Sequence, residues 1–438
     1  MKRGPIICIL VVIFMLLACA AAYCFYDTSE ESDLGDVNVP TIVKPNVQSQ
    51  DKPIIDIYWD ATCSMGGYAT VENDNLYKIM PDNLEAVASS MGQVNFFRFG
   101  ENITQLSGRE HRNFSNSSYY TELVTSIHNV ISNANTEHVS IVVTDLYEDA
   151  ADLGNVSRMM REKFFANHEA VAIIGIKNPF DGIVYDVGLN AQKFPYNSGN
   201  DPAKYRPFYL LIMGPENQVS TFLKKWQDRN IEGFDTQYVI LTENLMGKSA
   251  DLSNMKIVSD ETENLLNNDV LSIQDKRIKQ YEVDSMDSEA VLMTEFVYNP
   301  GLGSCDLDMD NLQADVKLYY LDNGEWLPLD TEKNVTMEWK QKENNTYQVA
   351  IRFVPSDVLK KEKINFVHID LVPGDNGLKL PEWIRNWSLG NINVSAENFD
   401  GTKTVNFNGF VESLKDEVMN SQPVLVNMDM IINAKEGW

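Results

Sequence analysis

The residues best suited to chemistry lie together in Asp60-Ala61-Thr62-Cys63-Ser64-Met65-Gly66-Gly67, where one carboxylate and two hydroxyls alternate. Alternate spacing in a turn lets several short oxygen-bearing side chains converge on one point. Mg²⁺ and Mn²⁺ require such hard oxygen ligands in an octahedron that often retains water, and Ca²⁺ accepts them as well. A second carboxylate, Asp145, ends the apolar run His138 to Asp145. Two carboxylates at neighbouring strand ends repel each other unless a cation lies between them. The competing reading makes Asp60 a turn or helix-capping residue and Thr62 and Ser64 caps on the helix that follows.

Other candidate chemistry is sparse. The five histidines, His111, His128, His138, His168 and His368, fall in no metal or nucleophile motif, and the chain has no Gly-x-Ser-x-Gly, His-Glu-x-x-His or phosphate-binding glycine loop. A phosphoaspartyl site would need a second aspartate where Thr62 stands. No enzymatic activity is expected. The alternating aspartates of Cys305-Asp306-Leu307-Asp308-Met309-Asp310 do not make an EF-hand, because Asn311 and Lys317 occupy the positions where that loop needs glycine and glutamate.

The elements that must position Asp60 and Asp145 are legible as near-continuous apolar runs. Ile54 to Asp60, Val94 to Phe99, His138 to Asp145, Ala170 to Ile176 and Arg206 to Met213 read as strands covered on both faces. Helical spacing runs from Asn75 to Ser90, Thr121 to Asn133, Asn155 to Asn167 and Glu216 to Arg229; Leu123, Ile127, Val130 and Ile131 are one such face. This alternation predicts an α/β domain with a mostly parallel sheet, and ligands of such sheets collect at the carboxyl ends of the strands. The stretch from Gly175 to Tyr205 is long for a connection and reads either as a recognition loop or as a surface insertion.

An apolar strand ending in Asp-x-Thr-x-Ser-Met-x-Gly resembles the metal-ion-dependent adhesion site (MIDAS) of von Willebrand factor A (VWA) domains, whose pattern is Asp-x-Ser-x-Ser. The resemblance covers residues 53–246. It implies a doubly wound sheet, a site completed by a threonine opening a middle helix and an aspartate ending the fourth strand, and an open metal position that accepts a partner's carboxylate. Thr121, at the start of TELVTSIHNVI, and Asp145 fall in that order, so the implied metal ligands are Asp60, Thr62, Ser64, Thr121 and Asp145, with Ser118 the alternative hydroxyl. The chain departs from the pattern in Thr62 for serine, in Leu146 where glycine is usual, and in a threonine loop, Ser117 to Thr121, without glycines.

A formal charge of −27 over 438 residues repels polyphosphates and argues against nucleic-acid partners. Of five cysteines, only Cys63 and Cys305 lie beyond the apolar N-terminal segment, so no disulfide framework exists and free thiols are expected. Lys2 and Arg3 precede an uncharged run from Pro5 to Tyr26, roughly long enough to span a bilayer, and acidic residues follow it. Residues 1–26 are therefore expected to anchor the chain in the cell membrane, N-terminus cytoplasmic and body extracytoplasmic. The alternatives are a lipoprotein signal, with Leu16-Leu17-Ala18-Cys19 as its processing box and lipid on Cys19, and a cleaved signal peptide. Residues 27–52 read as an acidic, proline-containing stalk.

From residue 250 to 438 the rhythm changes to strand alternation, in Val291 to Tyr298, Ala314 to Leu321, Tyr347 to Phe353 and Ile364 to Val372, with a hairpin signal at Asp322-Asn323-Gly324. A smaller, mostly-β, sandwich-like domain is expected, with Trp383 and Trp387 as packing residues or an interface plug. The whole chain then reads as a protein-binding module engaging an acidic group on a surface or envelope protein through a divalent metal. A metal-free scaffold subunit of an envelope complex is the alternative.

Overall fold

The computed structural model describes residues 52–434 apart from short internal stretches, of which 246–255 and 391–398 are the longest. The expected membrane segment 1–26, Cys19 and all of the stalk except Lys52 lie outside the described residues, among which no helix is long and apolar enough to cross a membrane.

The first half of the chain is α/β. Its strands are β1 (Ile54–Asp60), β2 (Gln93–Phe99), β3 (Ile103–Gln105), β4 (Val139–Thr144), β5 (Ala170–Asn178), the hairpin β6 (Asp181–Val187) and β7 (Gln192–Asn197), β8 (Arg206–Gly214) and β9 (Thr236–Leu241). All but the hairpin form one seven-stranded sheet in the order β3-β2-β1-β4-β8-β5-β9. The sheet is mixed, not mostly parallel: β1 runs parallel to β2 and β4, whereas β8 is antiparallel to both β4 and β5, and β9 to β5. The chain leaves β5, turns through the hairpin and returns as β8 between β4 and β5. A continuous apolar run looks the same in either direction, so its composition carried no sign of this reversal.

Alternating side chains divide the sheet's burial between two faces. Ile57, Ile141, Ile174 and Leu210 pack with Met65 and Tyr68 of α1 (Cys63–Thr70), Tyr77 and Leu84 of α2 (Leu76–Ser89) and Phe222 and Trp226 of α5 (Glu216–Asp228). Tyr58, Val142, Ile173 and Leu211 face Ile127 and Val130 of α3 (Ile127–Asn133), Val156 and Met160 of α4 (Ala150–Lys163), and a helix from the far end of the chain, α6 (Phe407–Asn420). The predicted helix from Thr121 starts only at Ile127, leaving Leu123 85% exposed.

That last helix joins the two halves. Ser157 and Ser413 hydroxyls lie 2.6 Å apart, Arg161 pairs with Glu417 at 3.2 Å, and the rings of Tyr209 and Phe407 lie 4.5 Å apart. Trp383 donates its indole N–H to the carbonyl of Tyr238, and Trp383 and Trp387 come so close to β5 that a Cβ at Gly175 would lie 2.7 Å from one ring and 2.9 Å from the other. The tryptophans are thus an interface plug, and only glycine fits beneath them.

The second half is mostly β. A four-stranded sheet runs in the order Lys256–Ile257, Ala290–Val297, Thr346–Phe353, Val335–Gln341. A six-stranded sheet runs in the order Leu265–Ile273, Lys276–Val283, Val426–Asn433, Ile364–Pro373, Leu312–Asp322, Glu325–Leu329. Leu292 and Ile351 of the first and Val316, Val367 and Met430 of the second line one shared apolar gap. The hairpin forms where the sequence marks it, with Asn323 and Gly324 both at positive φ, as a type I′ turn requires. Cys63 and Cys305 are free thiols.

A charged row crosses the six-stranded sheet. His368 Nδ1 lies 2.6 Å from Asp429 and Nε2 3.0 Å from Asp370, which also pairs with Lys317. Burial works against the charged ring, but Asp370 and Asp429 overcome it and push His368 up to about 9 from 6.5. A histidine raised in the folded state stabilises fully below its unfolded value, and that contribution disappears as pH rises through the folded one. His368→Gln is therefore expected to cost about 3 kcal/mol near pH 6, and its deficit to shrink as pH rises from about 6.5 to 9, in urea melts across that range.

Burying five apolar side chains of α6 (Phe407, Phe410, Val411, Leu414 and Val418) stabilises by on the order of 10 kcal/mol, comparable to a whole domain's stability. Residues 53–246 expressed alone are expected to show no cooperative thermal transition and to bind a hydrophobic dye, although the sequence reads them as a domain. A sharp transition in that fragment would mean that α6 is dispensable.

Candidate functional site

β1 is a central strand, and its last residue, Asp60, is completely buried. Asp145 follows directly after the adjacent β4 and is 1% exposed. The pairing of β1 with β4 therefore sets both carboxylates at one edge of the sheet. The connection from β1 into α1 brings Thr62 and Ser64 to the same place, both buried.

The hydroxyls point at the carboxylates. Thr62 donates to Asp60 Oδ1 from its backbone N–H at 2.9 Å and from its hydroxyl at 2.7 Å. The Thr62 and Ser64 hydroxyls are 3.0 Å apart, and Ser64 reaches Asp145 Oδ1 at 3.4 Å. Thr62 occupies the N-cap position of α1, yet its side chain makes no capping bond. The competing reading of Thr62 as a helix cap is thereby overturned: its hydroxyl serves the carboxylate.

A third segment completes the cluster, and here the expected residue is displaced. Thr121 is exposed, and Ser118 bonds only locally, to Asn116. Thr125 instead lies 3.4 Å from Asp60 Oδ2 and 3.3 Å from the Thr62 hydroxyl. The segment is locked in extended form: Cys63 N–H donates to Glu122 O, and Glu122 N–H to Ala61 O. Tyr120 anchors it from below, its hydroxyl 2.8 Å from that of Tyr77 and 2.7 Å from Phe114 O. This pairing delays the helix until Ile127, so the threonine just before it faces the site. Thr144 was also missed; its hydroxyl donates to Asp60 Oδ2 at 3.0 Å. A signal for Thr125 existed in its place two residues before the apolar run of α3, whereas Thr144 looks like any strand residue.

Burial, followed by the charge of Asp145, pushes Asp60 up to about 7, against the lowering effect of hydrogen bonds from Thr62 and Thr144. Asp145 is raised too, by burial, although the Arg206 guanidinium works in the opposite direction. Arg206 is itself buried and is tied to the carbonyls of Gly401 and Lys403 in the second half of the chain. Nothing in the sequence linked Arg206 to this site.

Among the described residues, the stretch from Gly175 to Tyr205 completes β5, forms the β6–β7 hairpin and packs against the rest of the protein. β6 lies on α1, where a Cβ at Gly67 would lie 2.4 Å from the Phe180 ring, and the Phe194 ring stacks on Phe399 at 4.7 Å. The hairpin thus holds α1 and the site turn in place. Exposed apolar residues flank Thr125 instead: Leu123, and Val124 at 54%.

The donor set is oxygen throughout, with two buried carboxylates, so the residues present fit a hard divalent cation such as Mg²⁺, Mn²⁺ or Ca²⁺. No protein-family model matches this chain, and no curated protein matches it.

An aspartate raised to about 7 from 3.8 keeps a proton that the unfolded chain loses, so metal-free stability falls as pH rises between those values. The penalty is at most about 4 kcal/mol. In chelator, the melting temperature is expected to drop from pH 5 to pH 8, and Asp60→Asn to flatten that drop. Parallel profiles for the two proteins would show that Asp60 carries no such penalty.

Proposed function

We propose that the chain is a membrane-anchored, extracytoplasmic protein-binding module, with an α/β region of VWA type and a sandwich-like β region. The convergence of Asp60, Thr62, Ser64, Thr125 and Asp145 from three segments onto one strand edge is the observation that supports this reading. These five residues would hold Mg²⁺ or Mn²⁺, with Ca²⁺ as the further candidate. When bound, the ion offers an open position to a carboxylate on a surface or envelope protein. Thr125 takes the role the resemblance gave to Thr121.

Further support comes from the backbone after Asp145. Leu146 sits at φ 55°, in the left-handed region that costs a non-glycine residue energy. Leu146 stands where the family usually has glycine, so the chain keeps the backbone that glycine favours despite the substitution. Leu123 and Val124 beside Thr125 provide exposed apolar surface that a docking partner would cover.

A metal-free scaffold is the second reading. The observation favouring it is that Asp60 already accepts hydrogen bonds at both oxygens and that Arg206 offsets the charge of Asp145. Such a cluster would position α1 and the Glu122 segment for constitutive packing against a neighbour.

Calorimetric titration of Mg²⁺ and Mn²⁺ into the full chain separates the two. On the metal reading, Asp60→Ala with Asp145→Ala abolishes site-specific binding, Thr125→Ala weakens it by about tenfold or more, and Thr121→Ala leaves it unchanged. Identical isotherms for wild type and the double variant would remove the metal mechanism and leave the scaffold.

A further inference from the structure

A second group of ligating side chains lies away from the strand edge, between α2 and the 3₁₀ turn Glu110–Ser115. Asp82 and Glu85 are three apart on α2 and so share a face. His111, in the turn, is 1% exposed, and its ring stacks on Phe96 with centroids 4.1 Å apart. One ligand atom from each of the three lies within 4.8 Å of the others.

The imidazole is what makes this more than an acidic patch. Neither ring nitrogen of His111 makes a hydrogen bond, although Nε2 lies 3.3 Å from Glu85 Oε2. A buried polar atom without a partner costs about 1–3 kcal/mol. Two ligands held tetrahedrally at about 2.1 Å from one ion stand about 3.4 Å apart, close to the spacing of Nε2 and Oε2. Asp82 is exposed and Glu85 half-buried, which lets their carboxylates adjust and leaves a route from solvent.

We propose that Asp82, Glu85 and His111 form a second divalent-metal site, selective for a Zn²⁺-class ion. One imidazole and two carboxylates suit borderline cations such as Zn²⁺ better than Mg²⁺, which prefers oxygen alone. The two sites would therefore take different metals. Arg112 is the built-in competitor: its Nε is ion-paired with Asp82 at 2.8 Å and its Nη2 is 4.0 Å from Glu85. Its side chain is 45% exposed and can swing out when an ion enters.

The test titrates Zn²⁺ calorimetrically into the full chain carrying Asp60→Ala and Asp145→Ala, so that the strand-edge cluster contributes nothing and its reading is not at stake. A single-site event is expected. His111→Gln and Glu85→Gln should each weaken it by about tenfold or more, and Arg112→Ala should tighten it, which a purely structural role for these residues would not produce. Co²⁺ in place of Zn²⁺ should show a visible absorption band that His111→Gln alters. If His111→Gln fails to fold, Glu85→Gln, a partly exposed position, decides alone. Zn²⁺ affinity within about twofold of the parent in Glu85→Gln would overturn the site and leave His111 and Glu85 as packing neighbours.

Discussion

The organising constraint in this protein is the burial of two carboxylates side by side. Asp60 ends one strand, Asp145 directly follows the adjacent parallel one, and both side chains are buried. Charge in that setting must be met by hydrogen bonds, by an opposite charge or by protonation. The structure uses part of each: hydroxyls from Thr62, Ser64, Thr125 and Thr144, the guanidinium of Arg206, and a pKa of about 7 at Asp60. On the metal reading, a divalent cation would complete this compensation.

Holding those segments requires much of the fold. The Glu122 segment is paired to the turn after β1 and fixed by Tyr120 against Tyr77 and Phe114. The β6–β7 hairpin presses on α1 through Phe180 and Gly67. Arg206 ties the neighbourhood of Asp145 to Gly401 and Lys403, more than 190 residues later. The β-rich half is thus joined to the site's support through Arg206, the tryptophan plug on β5 and α6 on the far face of the sheet.

Composition and spacing showed where charge and oxygen ligands would concentrate, because an apolar strand ending in Asp-x-Thr-x-Ser is a local pattern. Five strands of the first half, as continuous apolar runs, four of the second, as alternation, and the Asn323-Gly324 hairpin are legible for the same reason, because they are written in neighbouring residues; Thr236–Leu241, Leu265–Ile273, Lys276–Val283, Val335–Gln341 and Val426–Asn433 are not. Thr121 was expected and Thr125 found, because a backbone pairing between Glu122 and the β1 turn postpones the helix. Such a pairing depends on a segment some sixty residues earlier, and periodicity cannot see it.

Local sequence thus carries the oxygen-bearing residues of one turn, the alternation of strands and helices, and the change to a β-rich second half. Tertiary structure alone decided the mixed sheet, the place of β8 between β4 and β5, the recruitment of Thr125, Thr144 and Arg206, and the use of α6 to cover the first sheet. The reason is physical. Local propensities and burial periods act over a few residues, while strand direction, charge compensation and the choice of covering helix are settled by contacts between residues far apart in the chain, whose individual side chains look alike in composition.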